Sequence, residues 1–265
     1  MRVACFLFTL AALSAAAQDL AVRTGVLLKT SVAGHALVLN EVFLNGTGPF
    51  RMLIDTGNAS SIVRPQIARR LNLKPAYSVD QASIAGVRRV AVAILDEVHA
   101  GSISDRSVEA IIGDVFQSGV DGVLGQSWLV RHDYLLDYRN RRIGLDGPPP
   151  ASGIRVPLRS DDGRPVVVAL IEGSPRELVV DSGASGLVLY EKPALDGGLT
   201  AQLEANGGAA HAQACAVRFS LSGARERLLN AVRIDVHGLG PGLLPASAFA
   251  SVFVSNREGF VEFSR

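Results

Sequence analysis

The chain has 265 residues, 48% of them hydrophobic, and its 26 basic and 25 acidic side chains leave a formal net charge of +1. A chain of this size can bury a sizeable core without disulfide bonds. A balanced charge gives no general attraction to nucleic acid or to an anionic membrane, so we expect no nucleic-acid partner.

The first 17 residues have the order of a secretory signal peptide. Arg2 precedes a short apolar run, and Ala15–Ala17 offers a small-residue cleavage site. We therefore expect residues 1–17 to be removed and the mature chain to be exported, either to a periplasm or out of the cell. The apolar run is too short to span a bilayer comfortably, so we expect no stable membrane anchor. A buried first helix or an uncleaved anchor is the alternative.

Short apolar segments bounded by Gly, Asn, Asp or Pro follow along the chain and predict a mostly β structure. One segment, Pro65–Leu71, predicts a short helix, because Pro suits the first helical position. A Pro- and Gly-rich stretch at 147–153 suits neither strand nor helix. It predicts a linker between an N-terminal lobe at 18–146 and a C-terminal lobe at 154–265. The predicted strand segments include Leu37–Leu39, Val90–Leu95, Tyr134–Tyr138, Val166–Leu170 and Phe260–Phe263.

One motif occurs twice, as Asp-Thr-Gly at Asp55–Gly57 and as Asp-Ser-Gly at Asp181–Gly183, each between two apolar runs. Average residue usage gives such a tripeptide about 0.1 times in a chain of this length. Two copies with similar surroundings therefore indicate an internal duplication. The repeat extends further, since Asp121–Leu129 can be aligned with Pro241–Phe249. Two carboxylates on equivalent loops suggest one shared catalytic centre.

These motifs resemble the aspartic proteases, and more closely the retropepsin-like aspartyl proteases of bacteria, here with two lobes in one chain. The first lobe carries the resemblance best, through Asp55–Gly57, the following helix, the Gly122–Gly125 strand and the Asp137–Asn140 turn. The resemblance implies an all-β fold with two acid-protease-type β-barrel lobes and few short helices. It also implies that Asp55 and Asp181 meet at the lobe interface.

The resemblance implies an aspartic endopeptidase whose substrate is a polypeptide in an extended conformation. Two carboxylates held close together cannot both ionise easily, so they share one proton. The ionised one can deprotonate a water molecule while the protonated one donates to the peptide carbonyl. We expect Asp55 and Asp181 to divide these roles in a monomer.

Four neighbouring residues are expected to position the two carboxylates. Gly57 and Gly183 let backbone N–H groups come close to them. In the family, hydroxyls equivalent to those of Thr56 and Ser182 bond across to the opposite loop.

No cofactor is expected, because the histidines lack paired metal-ligand spacing and removal of the first 17 residues leaves one cysteine. We expect the histidines to be turn or surface residues. They are His35, His99, His132, His211 and His237.

Two hairpins are expected to act as flaps over the substrate. Their tips are predicted at Gly86 and Val87 in the first lobe, and at Asn206 and Gly207 in the second. The alternative is that both are ordinary surface hairpins.

Two residues depart from the family pattern. Asn58 stands where Ala, Ser or Thr is usual, and a small polar residue there need not disturb the carboxylate. Pro245 replaces the Gly that ends the second apolar strand, fixes φ and removes a backbone donor. A distorted second lobe would give a catalytically degenerate, bilobal peptide-binding protein. A third possibility is a zymogen-like or homodimeric form in which the first lobe pairs with itself.

Overall fold

The computed structural model describes residues 25–84, 86–192, 199–205, 208–221, 223–236 and 238–264. Strands make up most of these residues and helices are few and short, which confirms the predicted all-β fold class. Helix α1 begins at Pro65 and ends at Arg70, which confirms the helix predicted there. Residues 147–153 adopt neither helix nor strand. No helix in the described part of the chain has the length and apolar character needed to cross a membrane.

The first lobe contains α1 (Pro65–Arg70), α2 (Gln126–Leu129) and ten strands: β1 (Val26–Ala33), β2 (Ala36–Leu44), β3 (Thr47–Ile54), β4 (Ser61–Val63), β5 (Tyr77–Ser83), β6 (Gly86–Ala100), β7 (Ile103–Ile112), β8 (Gly122–Leu124), β9 (Tyr134–Asp137) and β10 (Arg142–Leu145). The second lobe contains a 3-10 helix (Ala246–Ala248) and eleven strands: β11 (Ile154–Pro157), β12 (Arg159–Asp161), β13 (Arg164–Ile171), β14 (Ser174–Asp181), β15 (Leu187–Leu189), β16 (Leu199–Ala205), β17 (Gly208–Ser220), β18 (Arg227–Arg233), β19 (Gly242–Pro245), β20 (Ser251–Ser255) and β21 (Phe260–Ser264).

The two lobes share one scheme of strand pairing. In the first lobe β3 runs parallel to β8, with Met52 opposite Gly122. In the second lobe β14 runs parallel to β19, with Leu178 opposite Gly242. Strand β4 is antiparallel to β8 and parallel to β7, and β15 has the same relation to β19 and β18. The register therefore matches the alignment of the two sequence repeats.

A sheet with strands from both lobes joins them, in the order β11-β21-β20-β9-β10-β1. Its central pair is β9 with β20, which are antiparallel with Tyr134 opposite Val254. Each lobe contributes three adjacent strands, which are one member of the central pair and the two strands beyond it. This arrangement gives the joining sheet an approximate two-fold symmetry.

Buried aliphatic residues anchor the strands that lead to the duplicated motif. Ile54 and Val180 precede the two aspartates and are fully buried, and so are Leu124 and Leu244 on the neighbouring parallel strands. Burial of each such side chain contributes about 1.5–3 kcal/mol. The loops that follow these strands therefore start from rigid positions.

His132 lies in the bend between α2 and β9, as expected of a turn residue, but its side chain is not at the surface. It is buried, with Nδ1 2.8 Å from Asp146 Oδ2 and Nε2 2.8 Å from Asp105 Oδ2. Arg257 of the second lobe donates to Asp146 Oδ1 at 2.7 Å and lies 3.2 Å from Asp133 Oδ2. This cluster links the lobes through polar contacts, which the scattered sequence positions did not reveal. His237 lies outside the described residues.

Candidate active site

The two Asp loops emerge from equivalent strand pairs. Asp55 follows β3, and its backbone N–H donates to the Leu124 carbonyl of β8 at 3.1 Å. Asp181 ends β14 and stands opposite Pro245 of β19 in the parallel register. Each aspartate is thus presented where a buried strand gives way to a tight loop.

Reciprocal hydrogen bonds between Thr56 and Ser182 join the two loops. The Thr56 N–H donates to Ser182 Oγ at 3.0 Å, and the Ser182 N–H donates to Thr56 Oγ1 at 2.9 Å. Thr56 Oγ1 also donates to the Val180 carbonyl at 2.6 Å, and Ser182 Oγ donates to the Ile54 carbonyl at 2.7 Å. Both side chains are completely buried. These four bonds fix the position of each loop relative to the other.

Gly57 and Gly183 lie directly against the opposite carboxylates. A Cβ atom built on Gly57 would lie 2.4 Å from Asp181 Cγ, and one built on Gly183 would lie 2.9 Å from Asp55 Oδ1. No real side chain could occupy either position without displacing a carboxylate. The structure therefore brings Asp55 and Asp181 together across the lobe interface, where they remain 8% and 7% exposed.

The two carboxylates accept different sets of hydrogen bonds. Gly57 N–H donates to Asp55 Oδ1 at 3.0 Å, and Asn58 Nδ2 donates to Asp55 Oδ2 at 3.0 Å. Gly183 and Ala184 N–H groups both donate to Asp181 Oδ1, at 2.7 and 3.1 Å. Asp55 is thus bonded at both oxygens, whereas both loop donors to Asp181 reach the same oxygen.

Burial raises the pKa of both carboxyl groups. For Asp55, hydrogen bonds from Asn58 and Gly57 oppose the rise in pKa. For Asp181, burial and then the negative charge of Asp55 raise the pKa to about 8. These directions favour a pair that retains one proton at neutral pH.

Pro245 does not disrupt the strand that contains it. The parallel pairing of β14 with β19 continues through Asp181 and Pro245, and Pro245 has a φ of −65°, which suits its ring. In the first lobe the equivalent Gly125 N–H donates to Ser61 Oγ at 3.2 Å. Leu187 begins β15 as Ser61 begins β4, so the second lobe has no hydroxyl there to accept a bond. The second lobe therefore lacks both the backbone donor and the hydroxyl acceptor of this bond, and no acceptor is left unsatisfied there.

The predicted first flap is a hairpin of β5 and β6, with Ser83 opposite Gly86. Gly86 has a φ of +110°, a conformation that favours glycine, and Val87 is 71% exposed. Asn206 and Gly207, the predicted tip of the second flap, lie outside the described residues. The flanking strands β16 and β17 pair antiparallel up to Ala205 and Gly208.

Gln126 is a supporting residue that the sequence did not reveal. Its Nε2 donates to the Thr56 carbonyl at 2.9 Å and lies 3.4 Å from the Tyr134 hydroxyl, and the side chain is buried. The contact ties α2 to the first Asp loop. The one sequence feature that could have indicated this role is the position of Gln126 directly after the Gly-Val-Leu-Gly strand of the repeat.

The first Asp loop lies in the part of the chain that matches a known family. The gag-polyprotein putative aspartyl protease family matches residues 40–131, which contain the first Asp loop and β8. This match covers part of the first lobe and does not reach the second Asp loop. Among curated proteins no match is found. Among solved structures, a retropepsin-like aspartic protease from Rickettsia conorii is similar at 17% identity and a TM-score of 0.34, over 46% of this chain and 90% of that one.

Proposed function

We propose that this protein is an aspartic endopeptidase in which Asp55 and Asp181 activate one water molecule. The observation that carries this proposal is the set of reciprocal bonds between Thr56 and Ser182, which hold the two carboxylates against each other. Burial of two carboxyl groups lowers the stability of the fold, because burial disfavours their charged forms. Such a destabilising pair points to a functional role. Strongly perturbed carboxylates that face each other are typical of catalytic sites.

The chemistry follows from one shared proton. The ionised carboxylate takes a proton from water, and the water oxygen bonds to the carbon of the substrate carbonyl. The protonated carboxyl gives its proton to the carbonyl oxygen, so a neutral tetrahedral diol forms. When the diol collapses, the carboxyl that took the water proton gives it to the amide nitrogen, the C–N bond breaks, and a diol hydroxyl gives its proton to the other carboxylate. The pair is then returned to its singly protonated state.

We also propose the substrate class and the setting. An extended polypeptide would lie over the dyad beneath the β5–β6 hairpin, where backbone pairing can hold it regardless of its sequence. Because one chain supplies both aspartates, a monomer is sufficient for activity. Residues 1–17 would direct the protein to a periplasm or out of the cell, with no stable membrane anchor.

The experiment is digestion of a proteome-derived peptide library by the chain beginning at Gln18, read by mass spectrometry from acidic to neutral pH. Asp55→Asn and Asp181→Asn are matched variants, because the amide keeps the shape of the carboxylate. We expect defined cleavage sites that disappear in both variants while circular dichroism shows an intact fold.

Two other outcomes would contradict the proposal. Peptide binding by the folded wild-type chain without cleavage at any pH would identify a binding protein. Full activity in Asp181→Asn, with none in Asp55→Asn, would identify a homodimer of first lobes.

A further inference from the structure

The two copies of the motif differ at the residue that follows the glycine. Asn58 occupies this position in the first lobe and Ala184 in the second. The Asn58 side chain is half-buried and donates from Nδ2 to Asp55 Oδ2 at 3.0 Å. Ala184 has only its backbone N–H to offer, and this donates to Asp181 Oδ1. The two carboxylates therefore differ in the donor that follows the glycine and in the oxygen that accepts from it.

We propose that Asn58 is a positioning residue that makes Asp55 the ionised base of the dyad and leaves Asp181 as the protonated acid. This inference rests on the proposed peptidase function for its consequence in catalysis. It assigns separate roles to two carboxylates that the duplicated motif would otherwise leave equivalent.

Donor geometry is the physical reason. An amide that donates to a carboxylate stabilises its charged form and lowers its pKa. Such charge-assisted bonds are stronger than those between neutral groups. Asp55 accepts bonds at both oxygens, from Gly57 at Oδ1 and from Asn58 at Oδ2, so a proton on either oxygen would compete with a donor.

Asp181 has a different environment. Gly183 and Ala184 both donate to its Oδ1, which leaves Oδ2 as the oxygen that can carry the proton without displacing a loop donor. A Cβ built on Gly57 would lie 2.4 Å from that Oδ2, so this oxygen faces the first loop. A proton there is directed toward the Asp55 side of the site.

Other charged groups do not supply the asymmetry. Among the described residues, no Lys, Arg or His forms a hydrogen bond or ion pair with either carboxylate, and the titratable group that faces each aspartate is the other aspartate. Burial raises the pKa of Tyr138 and Tyr190, a negative charge on Asp181 would raise it further, and both tyrosines stay neutral. Of the contacts that lower the pKa of Asp55, the Asn58 side chain has the largest effect.

The Asn58 side chain can be removed without loosening the loop. The backbone of Asn58 is held independently, because its N–H donates to the Asp55 carbonyl at 3.3 Å and its carbonyl accepts from Gln126 N–H at 2.9 Å. Asn58→Ala therefore removes one donor and gives both motifs the same residue after the glycine. The double variant Asn58→Ala/Ala184→Asn moves the donor to the second lobe.

The test uses two reagents that distinguish an ionised from a protonated carboxyl and need no peptide cleavage. A small epoxide is opened by an ionised carboxylate to a hydroxyalkyl ester. A diazoacetyl ester takes the proton of a carboxylic acid, loses dinitrogen and leaves an ester. Mass spectrometry of a tryptic digest then locates each ester on Asp55 or Asp181.

In the wild type we expect epoxide on Asp55 and diazo label on Asp181, each with a preference of about tenfold or more, since a hydrogen bond to a charged group changes an equilibrium by about that factor. Asn58→Ala should reduce this preference at least several-fold. The double variant should reverse it. If Asn58→Ala fails to fold, Ala184→Asn alone should still weaken the preference.

Cleavage kinetics separate the inference from the proposed function. In Asn58→Ala the acid limb of kcat/KM should move to higher pH by about one unit, because removal of the donor raises the pKa of Asp55. Equal labelling of both carboxyls in the wild type, or unchanged selectivity in Asn58→Ala, would overturn the role of Asn58 even if peptides are cleaved. Selective labelling without cleavage would support the role of Asn58 and refute the peptidase function.

Discussion

Asp181→Asn should change how the stability of the protein depends on pH. In the unfolded chain both dyad carboxyls ionise near their ordinary pKa of about 4. In the folded chain burial and the Asp55 charge raise the pKa of Asp181, so the folded state keeps a proton that the unfolded state has lost. The contribution of Asp181 to the free energy of unfolding is fully present below the pKa of Asp181 in the unfolded chain. It is lost as pH rises toward the pKa of Asp181 in the folded chain.

The magnitude follows from the single proton. Each pH unit in that window lowers the free energy of unfolding by about 1.4 kcal/mol, so the wild type should lose about 3 kcal/mol between pH 5 and pH 7 from this source. In Asp181→Asn, Asp55 faces a neutral amide and keeps its donors from Gly57 and Asn58. It therefore ionises at lower pH, and the variant should become relatively more stable as pH rises.

Urea unfolding followed by circular dichroism at half-unit steps from pH 4.5 to pH 7.5 measures this effect. The difference between variant and wild type removes the contributions of the titratable groups that both proteins share. Parallel stability curves for the two proteins across this range would refute a retained dyad proton.

Three further substitutions test the packing of the site. Thr56→Val keeps the shape but leaves the Val180 carbonyl and the Ser182 N–H without their partner. Urea unfolding should therefore show a loss of about 2–4 kcal/mol in the free energy of unfolding, which Thr56→Ser avoids. Equal stability of the two variants would contradict the reciprocal bonds. Gly57→Ala places a Cβ 2.4 Å from Asp181 Cγ, so peptide cleavage should be lost with a destabilisation of about 1–3 kcal/mol, and retained cleavage would refute the close approach. Pro245→Gly should retain cleavage and lose about 0.5–1 kcal/mol of stability, because Pro already suits the backbone there; a gain in cleavage would show that Pro245 impairs the second lobe.

The sequence predicted the parts of this protein that depend on local pattern. The helix at Pro65 follows from proline at its first position, and the strands follow from short apolar segments between turn residues. The duplicated motif also predicted that two carboxylates share one place. The structure brings Asp55 and Asp181 together because equivalent strands carry them through the same parallel register.

The remaining features depend on contacts between distant residues. The effect of Pro245 depends on the residue that replaces Ser61 in the second lobe, which is Leu187. Pro245 lacks an N–H, and this loss costs little because Leu187 has no hydroxyl to accept a bond from it. The Asn58 contact depends on the direction of one side chain, and the bond from Gln126 to Thr56 joins residues far apart in the chain. The burial of His132 was not predicted, because nothing near it in sequence shows that Asp105 lies against its ring.

The central claim is that one chain supplies both catalytic carboxylates. The most direct measurement is kcat/KM on a single cleaved peptide for the wild type and for Asp181→Asn at the optimal pH of the wild type. We predict a loss of about 100-fold to 10,000-fold, the usual contribution of a positioned acid or base, with the fold unchanged. Undiminished cleavage by Asp181→Asn would contradict the claim and remove the second lobe from the catalytic centre.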